Sequence, residues 1–223
     1  MSEDVPAIVH VIDDDESMRT ALARLLGAAG FSVRTYAGAG DFSLTWRDDG
    51  PGCILLDVCM PGPSGLDLQR ALAQRADALP VVFLSGQSDI AMSVVAMKAG
   101  AVDFLSKPVE TDALLAAVRA AVARDRARRE LLARNRHILA CYASLSARER
   151  QVFAQVTAGR LHKQIADELG TCERTIKAHR AHVMEKFHAH TFVDLIRIAG
   201  ELESVKAMES ATDERLADVA TCT

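Results

Sequence analysis

Oxygen-bearing and basic side chains follow the short apolar runs in the first half of the 223-residue chain. Asp13 and Asp14 come after the first run, Asp57 ends the third, Ser85 ends the fourth, and Lys107 follows the fifth. Carboxylates gathered in one place repel one another unless a cation neutralises them, and a set of oxygen ligands suits Mg²⁺. The set therefore predicts metal-assisted phosphoryl transfer.

Each of these side chains has a chemical role in that prediction. The Asp57 carboxylate would attack phosphorus to form an acyl phosphate, while Asp14, and Asp13 through water, would hold Mg²⁺. The Lys107 ammonium and the Ser85 hydroxyl would neutralise and hydrogen-bond the phosphoryl oxygens. For any single acid, capping a helix or facing water is the simpler interpretation, but the whole set favours a site.

Five short apolar runs alternate with helix-like stretches over residues 1–125. This alternation predicts an α/β domain with a doubly wound, five-stranded parallel sheet and helices on both faces. In such a sheet, ligands bind beyond the carboxyl ends of the strands, where the five side chains above should meet. The predicted strands are Ile8–Ile12, Phe31–Thr35, Cys53–Leu56, Val81–Leu84 and Val102–Leu105.

The remainder of the chain is predicted to be helical. Residues 111–143 contain neither Pro nor Gly and predict one long linker helix, continuous with the last helix of the first domain. Asp125 and Arg128 interrupt its apolar repeat, so a coiled coil and a plain linker are both open. Residues 144–205 predict a small all-α domain of four helices, which starts at a capping box of Ser146 and Glu149 and whose last helix ends at Leu202. The polar tail at 206–223 is expected to fray. The expected core of this domain is Val152, Phe153, Val156, Ile165, Leu169, Ile176, Val183, Leu195 and Ile198.

The net charge of −4 conceals an acidic first half and a basic stretch in residues 111–143. Any DNA contact is therefore expected from the second half. The five cysteines are scattered without a C-x-x-C pair, which favours reduced thiols over disulfides, with a redox role for Cys172 as a weaker alternative. No apolar run reaches the ~18 residues of a membrane span, so a cytoplasmic protein without a membrane partner is expected.

Four of the five histidines in the last predicted domain lie close together in sequence and raise the question of a metal site. They are His179, His182, His188 and His190. No Cys, Asp or Glu completes a ligand set with them at the usual sequence spacing. The sequence therefore favours histidines without a metal.

Four segments of the first domain resemble the receiver signatures of bacterial two-component response regulators, which have a flavodoxin-like fold. The resemblance implies that Asp57 accepts a phosphoryl group from a histidine kinase and that the backbone carbonyl of Cys59 is a further Mg²⁺ ligand. It also implies a cis Lys107–Pro108 bond and a switch in which Ser85 moves toward the phosphoryl group while Phe104 turns inward. The segments are Val11–Asp15, Leu55–Gly65, Phe83–Gly86 and Phe104–Pro108.

The second domain resembles the LuxR-type helix-turn-helix, and both domains together point to the FixJ/NarL group of transcription regulators. Leu145–Glu149, Gly159–Ala166, Leu169–His179 and Lys186–Phe187 carry the resemblance. It implies that the helix Glu173–Phe187 enters the major groove, whereas a plain solvated basic helix is the alternative. The residues implied to face DNA are Arg174, Lys177, Ala178, Arg180, Ala181 and His182.

These features together predict a phosphorylation-dependent transcription regulator and not an enzyme. Phosphorylation would shift the receiver between two states, promote a homodimer and place two DNA-reading helices together. The long helix would either release the DNA-binding domain or set the spacing of two copies, and RNA polymerase is a further candidate partner. An aspartyl-phosphate enzyme is disfavoured, because Cys59 stands where its second carboxylate belongs. A phospho-dependent adaptor or RNA-binding regulator is the other alternative.

Overall fold

The chain divides into two compact units, Met1–Glu130 and Leu131–Thr223. The computed structural model describes residues 6–75, 77–86 and 90–220, with side chains described as far as Met208. The boundary between the units falls inside one long helix, which runs from Thr111 to Ala143.

The first unit is built on a parallel sheet of five strands, as predicted. They are β1 (Ile8–Ile12), β2 (Ser32–Tyr36), β3 (Gly52–Asp57), β4 (Val81–Ser85) and β5 (Asp103–Ser106). Their order is β2-β1-β3-β4-β5, and all neighbouring strands are parallel. Each predicted strand is confirmed, with its ends shifted by at most one residue.

Helices cover both faces of this sheet. Successive residues of a strand point to opposite faces, so Leu55 and Leu56 of β3 belong to two different apolar clusters. Leu68 packs in the cluster on one face and Val118 in the cluster on the other. The doubly wound arrangement is therefore confirmed. Its helices are α1 (Glu16–Ala28), α2 (Ala39–Thr45), α3 (Gly65–Ala73), α4 (Ile90–Lys98) and the first part of α5 (Thr111–Ala143).

The buried carboxylate of Asp125 joins α5 to the amino end of β3, the central strand of the sheet. Asp125 is 0% exposed, and its Oδ2 accepts a hydrogen bond of 3.0 Å from the backbone N–H of Gly52. Arg128 and Arg129 pair with the same carboxylate at 2.7 and 2.6 Å, and Arg129 also contacts Asp48. The polar interruption of the apolar repeat thus belongs to the packing of the first unit, since it satisfies the first N–H of β3.

The second unit is helical around a single apolar cluster. It contains α6 (Ala147–Thr157), α7 (His162–Glu168), α8 (Glu173–Lys186) and α9 (Phe192–Ala220), and the end of α5 contributes Ile138 to the cluster. Leu131 and Leu132 of α5 are exposed and belong to neither the cluster of this unit nor those of the first. The predicted core residues all belong to the cluster or pack against it: Val152, Phe153, Val156, Ile165, Leu169, Ile176, Val183, Leu195 and Ile198.

The end of the chain differs from the expectation. The last helix was expected to stop near Leu202, and residues 206–223 to form a frayed tail, but α9 continues to Ala220. Residues 201–220 contain neither Gly nor Pro and are rich in Ala and Glu, so intrinsic helix propensity favours continuation despite the polarity. Among the residues that the structure describes, no helix is both long and apolar enough to cross a membrane.

Candidate functional site

Asp13, Asp57 and Lys107 meet at the carboxyl end of the sheet. The Nζ atom of Lys107 donates a 2.7 Å hydrogen bond to Oδ2 of Asp13 and another of 2.7 Å to Oδ2 of Asp57. Asp13 is 1% exposed and Asp57 is 6% exposed. Parallel strands end at the same edge, so residues 50 and 94 positions before Lys107 come within its reach.

The two carboxylates also control the charge of the lysine. Burial by itself would lower the pKa of Lys107, but hydrogen bonds to Asp13 and Asp57 and the charges of both carboxylates outweigh it and raise the pKa. Lys107 therefore remains an ammonium at neutral pH. It is placed to attract the oxygens of an anion that approaches Asp57.

A third carboxylate completes a set that fits Mg²⁺. Asp13, Asp14 and Asp57 each offer an oxygen within 4.8 Å of the other two, and Asp14 is exposed to solvent. Mg²⁺ prefers oxygen ligands and keeps several waters, which an open, exposed edge permits. We refer to Asp13, Asp14, Asp57 and Lys107 as the acid site. The backbone N–H of Cys59, whose carbonyl is the further predicted ligand, donates to Oδ1 of Asp57 at 3.1 Å.

Neighbouring side chains hold the loop after β1 in place. Oδ1 of Asp15 accepts hydrogen bonds from the N–H groups of Ser17 and Met18, at 2.8 and 3.3 Å, and so caps α1. Arg19 donates to the backbone carbonyls of Asp13 and Asp14 at 2.8 and 2.9 Å. Asp15 thus has the capping role that is the simpler interpretation of such acids, while Arg19 was missed because no sequence pattern singles it out.

Gly65 is a second residue that the sequence did not single out for the site. A Cβ atom at this position would lie 2.4 Å from the backbone oxygen of Asp57 and 3.1 Å from the ring of Phe83. The N–H of Gly65 donates to the carbonyl of Val58 at 3.2 Å. Glycine therefore allows the start of α3 to pack directly against the end of β3, which fixes the backbone of Asp57.

The remaining predicted receiver residues line the same edge of the sheet. Ser85 ends β4 and is 0% exposed, and its backbone oxygen accepts a hydrogen bond of 2.7 Å from the N–H of Lys107. Phe104 is half-buried, with its ring centroid 6.1 Å from that of Phe83. The predicted cis Lys107–Pro108 bond is confirmed. The movements assigned to Ser85 and Phe104 concern a second state and stay a prediction.

In the second unit, α7 and α8 form a helix-turn-helix. Gly170 takes a φ of +63° in the turn between them, a conformation that favours glycine. The N–H of Thr171 then donates to the carbonyl of Ala166 at 2.9 Å, which closes the end of α7. Ile176 and Val183 bury the inner face of α8 in the apolar cluster.

The outer face of α8 carries most of the side chains predicted to face DNA. Five of the six are exposed: Arg174, Lys177, Ala178, Ala181 and His182. Arg180 differs, since its guanidinium stacks over the ring of Phe192 with 5.5 Å to the centroid. Its Nε atom is buried without a hydrogen-bond partner among the described residues. The five exposed side chains form a surface that a DNA groove can meet.

An ion pair between the buried Glu149 and the partly exposed Lys186 joins α6 to α8. Oε2 of Glu149 accepts hydrogen bonds of 2.8 Å from the N–H of Ser146 and of 2.7 Å from Nζ of Lys186. The Lys186 hydrogen bond, and then the Ser146 backbone, lower the pKa of Glu149 to about 2. We refer to Ser146, Glu149 and Lys186 as the cap cluster. The Ser146 capping box was expected, whereas the contribution of Lys186 was not.

Comparisons with known proteins give a family match for each of the two units. Residues 9–119 match the response regulator receiver domain, and residues 143–199 match the bacterial regulatory proteins of the luxR family. Nodulation protein W of Bradyrhizobium diazoefficiens is 44% identical over 196 residues, which are 88% of this chain and 86% of that protein. The transcriptional regulatory protein FixJ of Azorhizobium caulinodans is 40% identical over 199 residues, 89% and 93% of the two chains.

The chain belongs to the response regulator family.

Solved structures of other response regulators support this assignment. The response regulator StyR is similar with a TM-score of 0.82 and 39% identity, over 88% of this chain and all of that one. Full-length FixJ from B. japonicum has a TM-score of 0.54 and 39% identity, over 89% of this chain and 98% of that one. This response regulator is therefore a transcription regulator, with a receiver and a LuxR-type DNA-binding domain.

Proposed function

We propose that phosphorylation of Asp57 by a histidine kinase switches the DNA binding of this response regulator. The observation that carries the proposal is the Lys107 ammonium, which touches two buried carboxylates at 2.7 Å on each side. An oxygen of Asp57 forms the bond to phosphorus, and the kinase imidazole leaves with the electron pair of the broken P–N bond. The result is an acyl phosphate on Asp57.

The acid site supplies what this reaction needs. Asp13, Asp14 and the carbonyl of Cys59 would hold Mg²⁺ together with Asp57, and the ion, when bound, neutralises charge on the phosphoryl oxygens. Lys107 presents a second positive charge to those oxygens, and the hydroxyl of Ser85 would donate a hydrogen bond to them. Because Asp57 itself is 6% exposed, the interactions of its carboxylate are screened less by water than those of a fully exposed carboxylate.

The exposed face of α8 is the proposed DNA-reading surface. Lys177 would pair with guanine, and Ala178 and Ala181 would contact thymine methyl groups in the major groove. Arg174 and His182 flank these residues and would bind phosphate or base edges. Arg180, which is stacked on Phe192, would contribute a backbone contact after a change of rotamer.

Phosphorylation would act by favouring one of two receiver states. Ser85 and Phe104 would rearrange around the phosphoryl group, and the favoured state would form a homodimer. A dimer presents two α8 helices to half-sites about one helical turn, roughly 34 Å, apart on promoter DNA. RNA polymerase is the further partner that this transcriptional role predicts.

The test combines light scattering with DNA titration on the full-length protein, before and after treatment with a small acyl-phosphate donor and Mg²⁺. We expect the donor to produce a dimer and to tighten promoter binding about tenfold or more. Asp57→Asn should abolish both effects, while Asp41→Asn, an exposed control on α2, should retain them. A donor effect that persists in Asp57→Asn would refute the proposal, as would tighter binding to RNA than to DNA.

A further inference from the structure

Three metal-binding side chains converge between α6 and α8. They are Glu149, His179 and His182, and each offers one ligand atom within 4.8 Å of the other two. The sequence favoured histidines without a metal because no Cys, Asp or Glu completes a ligand set with them at the usual spacing. The packing of the helices instead brings in a carboxylate from thirty residues earlier in the chain, which a search by spacing does not find.

The orientation of Glu149 leaves one of its oxygens directed at the histidines. Its Oε2 atom is engaged by Lys186 and by the N–H of Ser146. Its Oε1 atom lies 3.9 Å from Nδ1 of His182. The second histidine, His179, is half-buried three residues before His182 on α8, and residues at that spacing share a helix face.

Two imidazoles and one carboxylate form a ligand set that Zn²⁺ uses in sites with an open fourth position. Metal–ligand distances of about 2.1 Å place tetrahedral ligand atoms roughly 3.4 Å apart, so Oε1 of Glu149 and Nδ1 of His182, which are 3.9 Å apart, must approach by about half an ångström. His182 is exposed and its ring can make that movement without disturbing the apolar cluster, while Glu149 and the half-buried His179 stay in place.

The charges around the three ligands permit a cation but limit its affinity. Lys186 lies beside Glu149 and repels a metal ion, although its Nζ is also held by the carbonyl of Ser144 at 2.9 Å. The neighbouring Arg180 has its guanidinium over Phe192. The attraction between the site and a metal ion therefore comes mainly from coordination by the two imidazole nitrogens. Imidazole favours transition metals over Mg²⁺.

We propose that Glu149, His179 and His182 form a binding site for a transition metal ion of the Zn²⁺ class on the DNA-reading helix. The site goes beyond phosphoryl transfer at the receiver and uses none of its residues. Its ligand chemistry also separates it from the acid site, which offers only oxygen. The fourth position is left to water.

Co²⁺ is the probe that distinguishes the two sites in the full-length protein. In the presence of saturating Mg²⁺, we expect one equivalent of Co²⁺ to give the intense visible absorption of a tetrahedral site with nitrogen ligands, and Zn²⁺ to displace it. His179→Gln and His182→Gln should each weaken binding at least about tenfold. His190→Gln, an exposed histidine outside the cluster, is the matched control and should bind as the wild type does.

Three results would overturn the inference. The first is the absence of a saturable tetrahedral spectrum in the wild-type protein. The second is a spectrum that both His179→Gln and His182→Gln retain. The third is a thiolate charge-transfer band that Cys172→Ser removes, which would assign the ion to that exposed cysteine instead.

Metal binding at this site should also weaken DNA binding. This expectation rests on the proposed DNA-reading role of α8. An imidazole of His182 that coordinates an ion is withdrawn from the surface offered to DNA. We therefore expect Zn²⁺ to weaken promoter binding about fivefold in the wild type and to have no effect on His179→Gln. Because the Co²⁺ titration requires no DNA, failure of DNA binding and failure of the metal site are distinguishable.

Discussion

The acid site and the cap cluster are both built from carboxylates and a lysine, yet they differ in their balance of charge. In the acid site, Lys107 pairs with Asp13 and Asp57, and Asp14 adds a third carboxylate. In the cap cluster, one carboxylate meets one ammonium and two backbone or hydroxyl groups of a capping box. Excess negative charge lets the first bind a cation through oxygen alone, whereas the single carboxylate of the second is already paired and would need the two neighbouring imidazoles to bind one.

A lysine–carboxylate contact of 2.7 Å therefore does not by itself identify a reactive site. The edge of a parallel sheet gathers acids from separate strands and leaves them open to a ligand. A helix N-terminus instead supplies backbone donors, and at Glu149 such a donor and Lys186 both engage the Oε2 atom. The Lys186 contact therefore joins two helices, whereas the Lys107 contact lies where an anion can approach Asp57.

Removal of the Lys107 ammonium from the acid site is expected to have the largest effect. Lys107→Met removes the ammonium aimed at the phosphoryl oxygens, so the rate of Asp57 phosphorylation should fall at least about 100-fold. The measurement is incorporation of phosphate from an acyl-phosphate donor, with Lys98→Met, an exposed lysine of α4, as the control. The fluorescence of the single, buried Trp46 reports whether the first unit remains folded. A folded variant that is phosphorylated at the normal rate would contradict the prediction.

Removal of the Glu149 charge from the cap cluster should destabilise the second unit. Glu149→Gln keeps the shape of the side chain but leaves Lys186 without its ion-pair partner and weakens the capping box, which should cost about 2 kcal/mol of the stability of the second unit. Hydrogen exchange of amides in α6 and α8 measures this loss. Glu203→Gln, exposed on α9, should change nothing. Equal protection in both variants would show that the cap cluster is dispensable.

Mg²⁺ should stabilise one unit and not the other. Binding at the acid site is expected to raise the unfolding free energy of the first unit by about 1–2 kcal/mol at a Mg²⁺ concentration some tenfold above its dissociation constant. Denaturation followed by Trp46 fluorescence measures this gain, and Asp14→Asn should reduce it. Protection of amides in α6 should be independent of Mg²⁺. An equal gain in the unfolding free energy of both units would show that Mg²⁺ does not act through the acid site alone.

Acid should weaken the cap cluster in a defined range of pH. The pKa of Glu149 is about 2 in the folded protein and near 4.5 when unfolded, so the unfolded state binds more protons between these values. The stabilisation is fully present above pH 4.5 and is lost as the pH falls toward 2. After allowance for solvent screening at the half-exposed Lys186, the loss at pH 3 should be about 1 kcal/mol. The pH profile of amide exchange in α6 should show this loss, and Glu149→Gln should lack it.

Much of the fold and part of the candidate site could be predicted because they follow from local order in the chain. Runs such as Cys53–Leu56 identify strands, and alternation with helices identifies a parallel sheet. Once the sheet is known, Asp13, Asp57 and Lys107 must approach one another, since they follow strands that end at one edge. Their contact required no knowledge of individual side-chain packing.

Local sequence patterns were sufficient to predict the two units, the strands, the capping box at Ser146 and the edge at which the acids meet, because neighbours in the chain encode periodicity and strand order. Three contacts were found only in the folded chain: the hydrogen bond from the N–H of Gly52 to Asp125, the packing of Gly65 against the backbone of Asp57, and the approach of Glu149 to the histidines of α8. These contacts join residues from separate elements. Their distances depend on how helices and strands pack, which no local pattern specifies.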